Sequence, residues 1–171
     1  TYLSLGVFQR SQAANFAREL AESRGHAVEE LSVRPSLGNI MLWRIVYLAG
    51  GTYHVDAVRT VPWRDPYHYT GSQVSAYGID DTLSEESVLE YDIDRFRFFS
   101  QGYLYRYPKD VHVIGDLRYA MFPDSVIPLW GIRVDPSFPN EHVSLEYFRD
   151  PSEEAFDRLW QMILGKPVER F

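Results

Sequence analysis

Gly50-Gly51 separates two runs of strand-forming residues, Ile40 to Ala49 and Thr52 to Val61. That spacing dictates an antiparallel pair. A two-residue connection is too short for a crossover, and a Gly-Gly pair adopts the left-handed dihedrals of a tight hairpin turn without steric cost. In the second run Tyr53, Val55 and Ala57 fall on one face, with His54, Asp56 and Val58 on the other. The fold has to be built around this ribbon, and a chain of 171 residues is long enough to bury one core around it. Residues 1–171 are therefore expected to form a single domain.

Before the hairpin, Ala13, Phe16, Ala17, Leu20 and Ala21 keep helical spacing, predicting a helix from Val7 to Arg24 with Gly25 as its left-handed cap. Ala27 to Val33 reads as a short strand, stopped by the turn formers Arg34-Pro35-Ser36-Leu37-Gly38-Asn39. Pro62 to Gly78, rich in proline, tyrosine and histidine, reads as one long connection of the kind that carries function inside a compact domain. Thr82-x-x-Glu85 is a capping box, so a second helix is expected to begin near Thr82 or Ser84, with Val88, Leu89, Phe96 and Phe99 near one face and Ile93 beside it. The acidic stretch Asp80 to Asp94 reads as its first turn and solvated face. Leu104 to Tyr107, Val111 to Met121, Leu129 to Val134 and His142 to Phe148 are strand candidates. Asp150-Pro151-Ser152-Glu153 predicts an N-cap followed by proline at the first helical position. Ala155, Phe156, Leu159, Trp160 and Ile163 would form the buried stripe of that last helix, which Gly165 and Pro167 stop. The expectation is an α+β fold in the order α-βββ-α-βββ-α. It has a mainly antiparallel sheet of about six strands, with the helices packed on one face.

A net charge of −7 and the absence of any Lys/Arg run argue against a nucleic-acid partner. There are no cysteines, which removes disulfides, thiolate metal sites and cysteine nucleophiles. The five histidines, His26, His54, His68, His112 and His142, have no partners at helical spacing. His54 with Asp56, and His112 with Asp116, are the pairs that adjacent strands can bring together, and no metal site is expected within the chain. Ser100 lies in Phe99-Ser100-Gln101-Gly102-Tyr103, where it reads as a helix terminator, and no Gly-x-Ser-x-Gly elbow exists. The remaining candidates are carboxylates and guanidiniums. Asp56 and Arg59 lie on one strand, Asp116 and Arg118 on another, with Arg34 and Arg44 nearby in order. Asp116 and Arg118 share a strand face. Two readings stand: an ion-pair network that pins strand register, or a polar pocket for a small anionic or hydroxylated ligand.

Five segments carry a resemblance. They are Arg34-Pro35-Ser36-x-Gly38-Asn39-x-x-x-Trp43-Arg44, Tyr53-x-Val55-Asp56-Ala57-Val58-Arg59, Phe99-Ser100-x-Gly102-Tyr103, Gly115-Asp116-Leu117-Arg118-Tyr119 and Pro128-Leu129-Trp130-Gly131. In this order, between Arg10 and Ile132, they resemble the C-terminal soluble part of the bacterial membrane-bound predicted metal-dependent hydrolases, inner-membrane proteins of unassigned substrate. The resemblance implies a parent whose N-terminal half is a set of transmembrane helices bearing the histidines and acids of the hydrolase label, with any divalent metal. This chain is expected to follow the last of those helices through Tyr2 to Phe8. No catalytic residue of the family transfers onto it, and no cofactor is expected within it. The expected binding residues are Arg34, Asp56, Arg59, Asp116, Arg118 and Trp130. The first expectation is an accessory domain at the inner-membrane surface, on the cytoplasmic face in preference to the outer one, covering or regulating its own transmembrane half. Trp63, Tyr67 and Tyr69 in the Pro62 to Gly78 loop would make the contact. A self-contained binding module or enzyme with an Asp/Arg-lined pocket is the alternative, and a homodimerisation domain the third.

Overall fold

The structure is a computed structural model that describes residues 2–36, 38–78, 87–149 and 152–169. Helix α1 (Tyr2–Ser23) precedes strands β1 (Glu30–Pro35), β2 (Leu42–Ala49), β3 (Thr52–Arg59) and β4 (Tyr67–Ser75). Helix α2 (Val88–Phe99) precedes β5 (Leu104–Tyr107), β6 (Asp110–Asp116), β7 (Trp130–Arg133) and β8 (Ser144–Tyr147), and α3 (Glu153–Leu164) closes the chain. The fold is α+β, with three helices and two four-stranded antiparallel sheets in the orders β1-β2-β3-β4 and β5-β6-β7-β8. One sheet of about six strands was expected. Two features account for the difference. A strand lies inside the stretch expected to be a loop, and α2 interrupts the strand sequence so that a lone bridge, Ala76 to Tyr105, joins the edges of the two sheets.

The hidden strand is β4. Its pairing with β3 runs Asp56 to Thr70 and then His54 to Gln73, so Gly71 and Ser72 together oppose Val55 in a β-bulge. The extra residue resets the in–out alternation. Tyr69 and Val74 are thereby both buried, although five residues apart they would face opposite ways in a regular strand. At the β2–β3 turn, Gly50 and Gly51 sit at φ 56° and 73°, the two left-handed positions that the hairpin requires.

The layers run α1, first sheet, second sheet, α2. The alanines of α1 (Ala13, Ala17 and Ala21) press onto Trp43, Ile45, Tyr47 and Val58 of the first sheet. Its other face, through Val46, Tyr53, Val55 and Val74, meets Tyr103, Tyr105, Tyr107 and Val113 of the second sheet. On the far side of the second sheet, Leu89, Ile93 and Phe96 of α2 cover Leu104, Ile114 and Ile132. Helices α1 and α2 therefore flank the pair of sheets, and the three helices do not share one face. Helix α3 fills the inner face of the first sheet beside the second, packing Ala155, Leu159, Met162 and Ile163 on Leu42, Ala57, Tyr69 and Phe122.

The helix ends differ in detail from the sequence reading. Ser87 caps α2, its hydroxyl accepting from the Glu90 amide at 3.1 Å, while the Thr82–Glu85 capping box lies outside the described residues. Ser152 caps α3, its hydroxyl accepting from Ala155 N at 3.2 Å; Asp150 and Pro151 also lie outside the described residues. The buried stripe of α3 is rotated from the expected one, so that Phe156 and Trp160 face solvent, as does Phe99 at the end of α2. Among the described residues, no helix is long and apolar enough to cross a membrane.

Candidate functional site

Two polar centres sit on the sheets. The first is built on Asp56, which β3 turns toward α1 and whose side chain is 2% exposed. Arg24, just past the end of α1, grips it with both terminal nitrogens, Nη1 to Oδ2 at 2.7 Å and Nη2 to Oδ1 at 3.0 Å. His68 Nε2 donates to Oδ1 at 2.9 Å, and the Gly71 amide does so at 3.3 Å. The bulge makes the last contact, because it carries the Gly71 N–H out of the strand ladder and toward the carboxylate. Burial opposes ionisation of Asp56, but the hydrogen bonds from His68 and Arg24 outweigh it and hold the carboxyl below its usual range. A depressed folded-state pKa stabilises the fold above the unfolded value of about 3.9, and that contribution disappears as pH falls through the folded value. Asp56→Asn is expected to lose about 2 kcal/mol at pH 7. The gap between variant and parent in urea unfolding should close as pH falls below about 4. A gap that stays constant to pH 3 would show that Asp56 acts by shape and not by charge.

From Arg24 the network continues outward. Arg24 Nη1 donates to the Tyr47 hydroxyl at 3.1 Å, and that hydroxyl lies 2.9 Å from His26 Nδ1. The His26 and His54 rings lie tilted against each other with centroids 4.3 Å apart, and Tyr47 stacks on His54 at 4.8 Å. His54 is pushed down from its ordinary value, first by burial and then by the nearby His26 and Arg24.

The second centre is the junction between the sheets. Asp116 is fully buried and accepts from Arg118 Nε at 3.0 Å, Arg118 Nη2 at 2.7 Å and the Arg118 amide at 3.0 Å. Arg118 also donates to the Phe99 carbonyl at 2.8 Å. Arg34 reaches the Tyr119 hydroxyl at 3.0 Å and lies over its ring, which also touches Trp130 with centroids 5.1 Å apart. Tyr53 donates to the Gly102 carbonyl at 3.1 Å. Arg44 crosses from β2 into the loop after β6 and ends among backbone carbonyls.

Of the residues expected to bind, Arg34, Asp116, Arg118 and Trp130 are brought together at this junction, while Asp56 belongs to the first centre. Arg59 stands apart from both. It donates to the Ile163 carbonyl at 2.6 Å and closes the end of α3. In the expected contact loop, Trp63 does occupy the turn, whereas Tyr67 and Tyr69 are strand residues. Tyr69 is buried, with its hydroxyl 3.0 Å from the Met162 carbonyl. His112 does not approach Asp116, whose carboxylate is taken by Arg118; its Nδ1 lies 3.3 Å from Val134 O. The Ser100 hydroxyl donates to the Phe96 carbonyl at 2.7 Å, as a helix terminator does. Arg24, His26, Tyr47 and His68 carried no signal in the sequence. They come from the ends or middles of separate elements, and no fixed spacing joins them. Among the described residues, no cluster of three or more His, Asp or Glu is arranged to hold a metal ion. Neither a family model, nor a curated protein, nor a solved structure matches the chain.

Proposed function

We propose that this chain is an accessory domain of a membrane-bound protein resembling the predicted metal-dependent hydrolases. In this reading it rests at the membrane surface against the transmembrane half of its own protein, and any metal-dependent chemistry belongs to that half. The observation that carries the reading is Trp63. It is 99% exposed at the tip of the β3–β4 hairpin and sits at φ 62°. A left-handed conformation costs a residue with a side chain about 1–2 kcal/mol, and an indole in water returns no packing energy. Such a tip makes physical sense when the ring has somewhere else to go. Indoles favour the boundary between hydrocarbon and water.

The same end of the molecule supports it. Gln9 donates to the Thr60 carbonyl at 3.1 Å, which fixes the first turns of α1, with the exposed Val7 and Phe8, at the base of the hairpin. The Arg59 bond to Ile163 ties in the end of α3, whose exposed stripe is Phe156, Trp160 and Leu164. The acids of both polar centres, by contrast, are already fully engaged by guanidiniums and amides, an arrangement suited to holding a fold together.

Trp63→Gly separates docking from folding, because glycine relieves the left-handed strain while deleting the ring. The expected result is unchanged or slightly raised thermal stability, with about tenfold weaker sedimentation with phosphatidylglycerol-containing vesicles. Trp160→Ser should weaken binding in the same direction. Vesicle binding unaffected by both substitutions would rule the reading out.

A further inference from the structure

We propose that the cleft between the end of α1 and strands β3 and β4 binds a small tetrahedral oxyanion, a phosphate or phosphomonoester, between Arg24, His26 and His54. The cleft has a volume of about 270 Å3 and is lined by Arg24, His26, His54, Thr70, Ser72 and Gln73. A neighbouring depression that reaches Gly50 and Thr52 shares His26, His54 and Gln73 with it. Its walls offer donors. Because the Tyr47 hydroxyl accepts from Arg24, its own proton is directed to His26 Nδ1, which leaves the His26 Nε2–H without a partner among the described residues. Both ring nitrogens of His54 are likewise unpartnered among the described residues. The floor of the cleft is Asp56, but its oxygens are occupied and shielded.

The titratable groups around the two imidazoles are Arg24 at the end of α1, Asp56 on β3, His68 on β4 and Glu29 before β1. Glu29 is engaged by the Gly50 amide at 2.7 Å. Arg24 offsets the negative end of the α1 dipole. Burial first, and then the nearby His26 and Arg24, disfavour protonation of His54 against the pull of Asp56. An incoming cation would add to that repulsion. An anion relieves it and draws a proton onto His54, so binding and protonation are coupled. This inference uses no residue of the docking surface and stands whether or not that surface meets a membrane.

The test follows the histidine ring resonances by NMR as sulfate is added at constant ionic strength; sulfate stays a dianion across the pH range used. Saturable shifts of His26 and His54 are expected at pH 6, with affinity falling roughly tenfold per pH unit above the imidazole pKa. His54→Gln and His26→Gln, both at partly exposed positions, should each abolish the response while the melting temperature holds. Inorganic phosphate compared with glycerol phosphate then tells a free ion from an esterified one; tighter binding of either supports the site. Shifts that chloride reproduces, or that survive both substitutions, overturn the proposal. So does saturable binding of Ni2+ with no response to sulfate.

Discussion

Arg44→Met is expected to destabilise the fold by about 4 kcal/mol, the largest single-residue effect we anticipate. Arg44 is 4% exposed and, among the described residues, has no carboxylate within ion-pair distance. Its guanidinium donates to Leu117 O from Nε at 3.1 Å and from Nη2 at 2.9 Å, and from Nη1 to Pro123 O at 2.9 Å and Ser125 O at 2.7 Å. Burial pushes its pKa down to about 10, against the pull of Tyr105, Asp124 and Asp116, so it remains charged at neutral pH. The group therefore acts as a polar plug that satisfies the carbonyls of a loop with no strand partner of its own. Methionine fills much of the same volume but leaves those carbonyls buried without donors, each at about 1–3 kcal/mol before relaxation. Urea unfolding measures the loss directly. Arg44→Lys should recover a part of it, because a single ammonium reaches fewer of the carbonyls. A methionine variant within 1 kcal/mol of the parent would mean that water enters and replaces the guanidinium.

Gly71→Ala should cost about 3 kcal/mol through a different mechanism. A Cβ at this position would lie 2.3 Å from the Val55 carbonyl oxygen and 2.4 Å from that of Asp124. Both obstacles are backbone, one in β3 and the other in the loop that α3 holds through the Arg158–Asp124 ion pair at 2.7 Å. Neither can rotate away as a side chain would, so the bulge itself must open, and its amide contact with Asp56 goes with it. Ser72→Ala, one residue on and exposed, is the matching control and should stay within about 0.5 kcal/mol of the parent. Equal losses at the two positions would show a generally fragile strand and not a steric close approach. Because Gly71 supports Asp56, the alanine variant should also show less of the acid dependence described above.

Local chemistry made much of the fold legible. The Gly50-Gly51 turn, the alanine stripe of α1 and the apolar stops around α3 are short-range signals, and the structure places elements at each. What stayed hidden depended on distant partners. The β4 strand escaped notice because the Gly71-Ser72 bulge breaks the two-residue alternation by which strands are recognised. The division into two sheets was invisible because antiparallel pairing of neighbours looks the same whether the sheet continues or stops. The rotation of the α3 stripe was ambiguous, since aromatic residues at Phe156 and Trp160 extend the apolar arc beyond what the core uses. At the polar centres, Asp116 and Arg118 do pair, but through the turn that follows β6 and not on the shared strand face that was expected, because β6 ends at Asp116. Asp56 finds its guanidinium 32 residues away, at a helix end, where no spacing rule applies.

Each sheet is a meander in which every strand lies beside its neighbour in sequence. The register of either sheet can thus be set by short loop closures, without waiting for the other, which keeps the entropic barrier of its assembly low. What the two halves share is the dehydration of the junction, where Arg44 leaves water only when the loop after β6 wraps it. The assembly of strands is local and graded, and the docking of sheets is collective. Coupling between the polar centre on the α1 face of the first sheet and the one at the junction has to pass through the same step.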